Sequence, residues 1–312
     1  MSTACDRCKK RSAIYIRYSG QHLCGDHFLD LLGRRVRREV REQGLLNGKG
    51  IIGAAVSGGK DSILMLRLLS DILKPIRDVR IVALTVDEGI AGYRPRSIEI
   101  SSAVSSELSI EHHVDSFEGL FGWTLDETIG RIDIGPCSIC GVLRRKALNQ
   151  MAARYGCGAL ATGHNLDDTA QTVLMNVLTA DTARLKRLGP HTDPIPGLVP
   201  RFMPLRTTPE NETYLAAYLL DLPIHDQECP YSASAKRGLA RDLLLEAEAH
   251  TPGTRHSLLK FQREISSHLP RGRADLEMCV RCGDIVISAI GVVCRGCQIL
   301  EGMEDGDEKE KA

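Results

Sequence analysis

The chain has 312 residues, 43% of them hydrophobic and 26% charged, which excludes a disordered or fibrous protein and leaves room for one large core with appendages. Its 40 basic and 40 acidic side chains cancel, so no whole-molecule positive field advertises a nucleic-acid partner, although locally segregated charge still can. With 11 cysteines, no apolar leader before Cys5 and no apolar run long enough to cross a membrane, the expected setting is reducing cytoplasm, where clustered thiols bind metal more often than they pair.

The first element is a metal pattern. Cys5-x-x-Cys8 and Cys24-x-x-His27 are two knuckles separated by 15 residues, a spacing that places four ligands tetrahedrally around Zn2+. The closed shell predicts a structural site in which the metal holds a fold too small to bury its own core. A helix follows from about Phe28 to Glu42, with Phe28, Leu32, Val36 and Val40 as its apolar stripe. Arg34, Arg35, Arg37, Arg38 and Arg41 cover the rest, and a phosphate-contacting helix and a merely solvated one are both open.

Ile51 to Val56 reads as a buried strand, and Ile63, Leu66, Leu69 and Leu73 mark the helix after it. Between them lies Ser57-Gly58-Gly59-Lys60-Asp61-Ser62. Strand, glycine turn and helix aim backbone N–H groups and a helix N-terminus at an anion, and Lys60 adds a mobile positive charge. Gly53 and Gly58 have the separation of a Walker A loop, but Gly59 stands where its lysine belongs and Asp61 where its hydroxyl belongs. The motif instead resembles the PP-loop of the ATP pyrophosphatases, which implies cleavage of ATP between the α and β phosphates. The plain alternative is a tight turn that caps a helix without a ligand.

Further strands are expected at Val79 to Val86, Glu111 to Val114 and Ala159 to Thr162, with helices over about Arg96 to Leu108, from Pro136 through Met151, and across Ala170 to Val177. Phe117 to Ile132 reads as partly helical. Alternating strands and helices predict an α/β fold, a doubly wound parallel sheet with the ligand at the strands' carboxyl ends. The phosphate loop, Val86-Asp87-Glu88 and Gly163 to Asp168 all fall there. Residues 181 to 210, rich in Pro, Arg and Lys, read as loop (Arg184, Lys186, Arg187, Arg201, Arg206). Helices are expected over Thr208 to Leu220, Ser234 to Ala249 and Thr254 to His268. Cys279-x-x-Cys282 and Cys294-x-x-Cys297, 11 residues apart around a strand-like Asp284 to Val293, form a second zinc pattern. The expected domains are a zinc module (1–30), a basic linker helix (31–48), the α/β domain (49–230), a helical extension (231–272), a zinc ribbon (273–300) and an acidic disordered tail (301–312).

Subtracting the zinc ligands leaves Cys137, Cys140, Cys157 and Cys229. Cys137 and Cys140 sit at a helix N-terminus, which predicts lowered thiol pKa values. Cys157 reads as a small buried apolar residue. Three thiols beside a phosphate loop suit persulfide chemistry, an iron–sulfur cluster with one open iron, or a third zinc completed by another residue.

Taken together, the paired zinc knuckles, the Ser-Gly-Gly-Lys-Asp-Ser loop, Pro136-Cys137-Ser138-Ile139-Cys140, Thr162-Gly163-His164-Asn165-Leu166-Asp167-Asp168 and the distant Cys229 resemble the tRNA 2-thiouridine synthetases of the two-zinc-finger PP-loop group. The resemblance spans nearly the whole chain except the tail. It implies adenylation of the C2 oxygen of a tRNA uridine and its replacement by sulfur, with release of AMP and pyrophosphate. It also implies a 4Fe-4S cluster on Cys137, Cys140 and Cys229, zinc modules that help grip tRNA, and a homodimer. ATP is expected on Ala55, Val56, Ser57, Gly58, Gly59, Lys60, Asp61, Ser62, Val86, Asp87, Gly163 and Asp168, with Mg2+ on Asp61 or Asp168 and Arg144 contacting phosphate. His164 and Asn165 are further candidates. Which uridine is modified, and whether free sulfide or a ubiquitin-like thiocarboxylate protein donates the sulfur, stay open. Two other readings remain: a PP-loop ligase with an amine nucleophile, and a non-catalytic zinc protein that binds RNA.

Overall fold

The computed structural model describes residues 3–44, 50–189, 195–232, 237–268, 276–287 and 292–310. At the N-terminus a short antiparallel hairpin, β1 (Ile14–Ile16) and β2 (Gln21–Leu23), leads into α1 (Gly25–Glu42). Phe28, Leu32, Val36 and Val40 are buried along α1, as their four-residue recurrence requires. The helix begins inside the expected N-terminal module and continues without a break into the expected linker as far as Glu42; residues 45–48 of that linker lie outside the described residues.

The body is a five-stranded parallel sheet built from β3 (Gly50–Ala55), β4 (Val79–Asp87), β5 (Glu111–Ser116), β6 (Cys157–Ala161) and β7 (Arg201–Phe202). The order is β5-β4-β3-β6-β7, so the chain winds outward from β3 in one direction and then restarts at β6 on its other side. That reversal opens a crevice between the carboxyl ends of β3 and β6. Side-chain alternation divides the core. Ile81 and Ala83 of β4 and Ala159 and Ala161 of β6 face one layer, while Val82, Leu84, Val86 and Leu160 face the other. Gly53 lies on the second face, where a Cβ would come 3.1 Å from Cys157 Sγ and 3.1 Å from Leu160 Cδ1. Cys157 packs there at 7% exposure, and burial pushes its thiol up to about 11. It is a core residue, as the sequence suggested.

Helices cover both faces: α2 (Lys60–Leu73), α3 (Arg94–Glu107), α4 (Phe117–Phe121), α5 (Leu125–Thr128), α6 (Pro136–Arg154), α7 (Leu166–Leu178), α8 (Thr182–Arg187), α9 (Glu210–Leu219), α10 (Gly238–His250) and α11 (Thr254–His268). Ile63, Leu64, Met65, Leu66 and Leu69 of α2 are fully buried. At roughly 1.5–3 kcal/mol for each such side chain, the helix behind the phosphate loop is a fixed support. A second hairpin, β8 (Leu276–Met278) and β9 (Ile285–Ile287), precedes α12 (Arg295–Glu310).

Several expectations change. β6 starts two residues before the predicted strand. Residues 181 to 210 hold α8 and the fifth strand, β7, whose two residues are too few to show a period. Residues 233–236 and 288–291, within the predicted α10 and the ribbon's strand, lie outside the described residues. The acidic segment expected to be disordered continues α12 to Glu310, because Ile299 and Met303 bury against the domain and extend the helix through it. Of the arginines on α1, Arg35 is neither solvated nor free for phosphate. Its guanidinium is 2.6 Å from Glu212 Oε2 of α9 and donates to Tyr18, which itself donates to Glu212.

Candidate functional site

Whether the two terminal ligand sets could close around one metal ion is a matter of geometry. Ligand bonds near ~2.3 Å in a tetrahedron require sulfurs about 3.8 Å apart. In the N-terminal set Cys8 and Cys24 Sγ are 3.7 Å apart, and Cys5 and Cys24 Sγ lie 3.3 and 3.4 Å from His27 Nδ1. In the C-terminal set the Cys279–Cys297 and Cys282–Cys294 pairs are 3.9 and 3.6 Å apart. Each set of four therefore forms a closed cage, with two ligands from a loop beside a hairpin and two from the start of a helix. The C-terminal cage is fastened to α6, where Lys146 donates to Cys282 Sγ at 3.1 Å and pairs with Asp284.

The crevice at β3 and β6 holds a cavity of about 620 Å3. Its floor is the loop from Ala55 to Ser62. Gly58 has φ +82°, and a Cβ there would lie 2.4 Å from the carbonyl oxygen of Ser97 on α3, so only glycine fits. Gly163 is required for a different reason, since a Cβ would come within 3.0 Å of the Ser62 backbone. Ser62 locks the turn: its hydroxyl accepts from Ser57 N at 3.0 Å and donates to Gly59 O at 2.9 Å. Gly59 caps α2, leaving the helix N-terminus turned toward the cavity.

Lys60 Nζ lies 2.9 Å from Asp61 Oδ2 and 2.8 Å from Glu210 Oε1. Burial opposes its charge, but the two carboxylates outweigh it and hold the ammonium above its ordinary pKa. Thr213 donates to Asp61 Oδ1 at 2.6 Å. Glu210 and Thr213 belong to α9, about 150 residues further along, and no local pattern in the sequence signals them.

Val86 and Arg144 line the same cavity, as do Gly163 and Asp168. Gly58 and Asp87 do not. Gly58 shapes the loop from behind, and Asp87 accepts from Gly89 N at 2.9 Å and closes its own turn. Asn165 and Asp168 form the capping box of α7, and Asp168 Oδ1 also pairs with Arg237 at 3.2 Å. His164 contacts Thr162 Oγ1 at 2.9 Å.

One buried acid connects the loop to the cysteines. Glu88, at 4% exposure, lies 2.7 Å from Arg94 Nε and 2.7 Å from Arg144 Nε. Arg94 donates to the carbonyls of Ser57 and Val86, and Arg144 donates to Cys140 Sγ at 2.7 Å. Cys137 Sγ donates to the carbonyl of Tyr231 at 3.4 Å, two residues beyond Cys229. Cys229 and Tyr231 pack on the same apolar cluster as Cys140. The three thiols gather around Tyr231 and the Cys140 cluster without the tight ligand spacing of the terminal cages, which among the described residues is limited to those two sets. That disfavours a third structural zinc. The Cys140 thiol is raised by burial, against the opposing pull of Arg144, where the helix N-terminus alone predicted a lowering.

Comparison with known proteins agrees with this arrangement. Residues 5–29 match the family described as 2-thiouridine synthetase TtuA, N-terminal LIM domain, and residues 33–190 match the PP-loop domain family. The tRNA 2-thiolation protein NcsA of Haloferax volcanii is 38% identical over 96% of this chain and 99% of its own length. Cytoplasmic tRNA 2-thiolation protein 1 of Xenopus laevis is 33% identical over 98% of this chain and 90% of its own. Among solved structures, the U34-tRNA thiolase NcsA from Methanococcus maripaludis, determined with its 4Fe-4S cluster, superposes with a TM-score of 0.86 at 33% identity, covering 97% of both chains. By fold, site and sequence, this chain belongs to the PP-loop tRNA 2-thiolation proteins.

Proposed function

We propose that this chain adenylates the C2 oxygen of a tRNA uridine with ATP and exchanges that oxygen for sulfur beside Cys137, Cys140 and Cys229. The observation that carries the reading is the Glu88 bridge, which joins the phosphate loop, through Arg94, to the thiol wall, through Arg144. A phosphate-activating site and a sulfur-handling site thereby lie side by side, with Arg144 lining the cavity and touching Cys140 behind it.

A uridine carbonyl is a weak electrophile, and its oxygen leaves poorly. Transfer of AMP to that oxygen, with loss of pyrophosphate, makes it a good leaving group. Sulfide then attacks C2, and AMP departs with the uridine oxygen. The chain's own contribution is positional and electrostatic. Loop amides from Ser57 to Asp61 and the ammonium of Lys60 receive the pyrophosphate. Arg144, at the cavity edge beside Cys140, offers positive charge where the adenylate meets the sulfur wall. Asp61 and Asp168 both line the cavity and would hold Mg2+ by exchanging present partners, Lys60 and Thr213 for Asp61 and the α7 cap and Arg237 for Asp168.

The convergent, partly buried thiols suit a cluster ligated by three cysteines. Bound there, a 4Fe-4S cluster would supply an iron without a protein ligand to carry sulfide. Each terminal cage takes one Zn2+ as a structural ion. By analogy with the U34-tRNA thiolase and the cytoplasmic 2-thiolation proteins, the modified nucleoside is uridine 34 and the setting is the cytoplasm; a homodimer, and free sulfide or a thiocarboxylate protein as donor, are what the family resemblance implies. An amine-using ligase has no need of the cysteine wall, and a purely RNA-binding protein has no need of the loop.

Anaerobically prepared protein given ATP, sulfide and tRNA is expected to release AMP and pyrophosphate and to leave 2-thiouridine, seen by mass spectrometry of the digested nucleosides. ADP and phosphate as the sole nucleotide products would remove the reading. Zinc is separable from this chemistry. His27→Ala opens the N-terminal cage, and one of two zinc ions per chain is expected to be lost, with a fall of several degrees in Tm. Retention of both ions, measured by elemental analysis, would show that His27 is not a ligand.

A further inference from the structure

A second, smaller cavity of about 270 Å3 lies next to the reaction cavity, and neither the mechanism nor the zinc modules use it. Its walls carry three guanidinium groups, Arg184, Arg187 and Arg237, and no carboxylate, with Thr172 and Asn176 of α7 as the polar remainder. Arg184 and Arg187 are three residues apart on α8 and so share a face. Arg184 pairs with Asp181 at 3.2 Å, while Arg187 has no ion pair among the described residues.

The cavity is built rather than incidental. Gln262 of α11, 2% exposed, donates to the carbonyls of Leu188 at 2.6 Å and Leu185 at 3.3 Å. Arg206 in turn donates to Gln262 Oε1 at 2.7 Å. A buried polar network therefore fixes a six-residue helix that could not hold its shape alone, and it fixes the two arginines with it. Arg237 closes the opposite wall. It donates to Thr172 Oγ1 at 3.2 Å and pairs with Asp168, which lines the reaction cavity. The two cavities thus share a wall along α7.

From Asp168 to Met175, α7 rises roughly 10 Å, about the length of three stacked nucleotides. We infer that the Arg184–Arg187–Arg237 cavity binds a backbone phosphate of the tRNA about three nucleotides from the uridine being thiolated, and so sets the register of the strand. Planar guanidinium forks on opposite walls suit the several oxygens of a phosphodiester. The inference rests on the tRNA reading above and gives that reading a defined docking point.

The test uses the full chain with Arg184→Gln, Arg187→Gln and the double variant, none of which touches the nucleotide loop or the thiols. The KM for tRNA is expected to rise on the order of tenfold in the double variant, with kcat at saturating tRNA and the KM for ATP unchanged. The plot of log affinity for tRNA against log salt should flatten by about 0.7–0.9 for each lost contact. Unchanged tRNA KM and salt slope, in a variant that thiolates normally, would overturn the inference and leave the function intact. A rise in the ATP KM in place of the tRNA KM would also overturn it, assigning the arginines to nucleotide phosphate. Absence of thiolation in the unaltered protein is the separate result that would remove the function itself.

Discussion

Cys140→Ala is expected to abolish tRNA thiolation, by at least about a thousandfold, while the protein stays folded and keeps both zinc ions. Cys140 is 5% exposed and its sulfur takes a 2.7 Å hydrogen bond from Arg144, so it is the thiol most tightly built into the site. Removing one sulfur from a packed wall costs about 1 kcal/mol of stability, too little to unfold a domain of this size. The two terminal four-ligand cages lie elsewhere and keep all their ligands. The same variant, prepared without oxygen, should lose the broad visible absorption of an iron–sulfur chromophore. Cys157→Ala is the control: it removes a comparably buried sulfur that packs against Gly53 of β3 and should lower stability by a similar amount with thiolation retained. A Cys140→Ala protein that is colourless yet still thiolates tRNA would sink the cluster assignment and return the chemistry to a persulfide on the remaining thiols.

The contrast between these cysteines shows which features a sequence can carry. Ligand spacing is local, so both four-ligand cages were legible from knuckle pairs alone. The phosphate loop was legible because strand, glycines, lysine and helix follow one another without interruption. Cys157 was legible as core because it stands between two glycines just before an apolar strand. The character of Cys140 was not. A helix N-terminus lowers a thiol pKa only while solvent or positive charge dominates, and here burial wins. Glu88 was visible only as a polar residue at a strand end, since its role depends on Arg94 and Arg144 arriving from two other helices. The arginines of α1 had two open readings, and Arg35 took neither because Glu212 meets it from a helix nearly 180 residues away. α8 and β7 escaped detection for a simpler reason. Six and two residues are shorter than the periods that reveal helices and strands, and tertiary contacts such as Gln262 hold them in place.

Lys60→Ala is expected to reduce kcat/KM for ATP about a thousandfold while the affinity for tRNA stays within a few-fold of the original. The ammonium has two tasks. Toward the ligand it offers charge to the pyrophosphate, and toward the protein it neutralises Asp61 and Glu210. Without it, two carboxylates face the incoming phosphates, and at about 4 Å each like-charge contact opposes binding by up to about 4 kcal/mol in a partly solvated site. Glu210→Gln should act in the opposite direction. It removes one of the carboxylates that hold Lys60 back, so the KM for ATP should fall modestly, with Asp61 and Thr213 still in place. Steady-state AMP formation at fixed saturating tRNA reads both changes, and filter binding reads tRNA affinity independently. Lys60→Ala turnover within a few-fold of the original would mean that backbone amides alone hold the pyrophosphate. A Glu210→Gln variant with weakened ATP binding would mean that Glu210 supports the nucleotide directly, and that the lysine it holds is already in its working position.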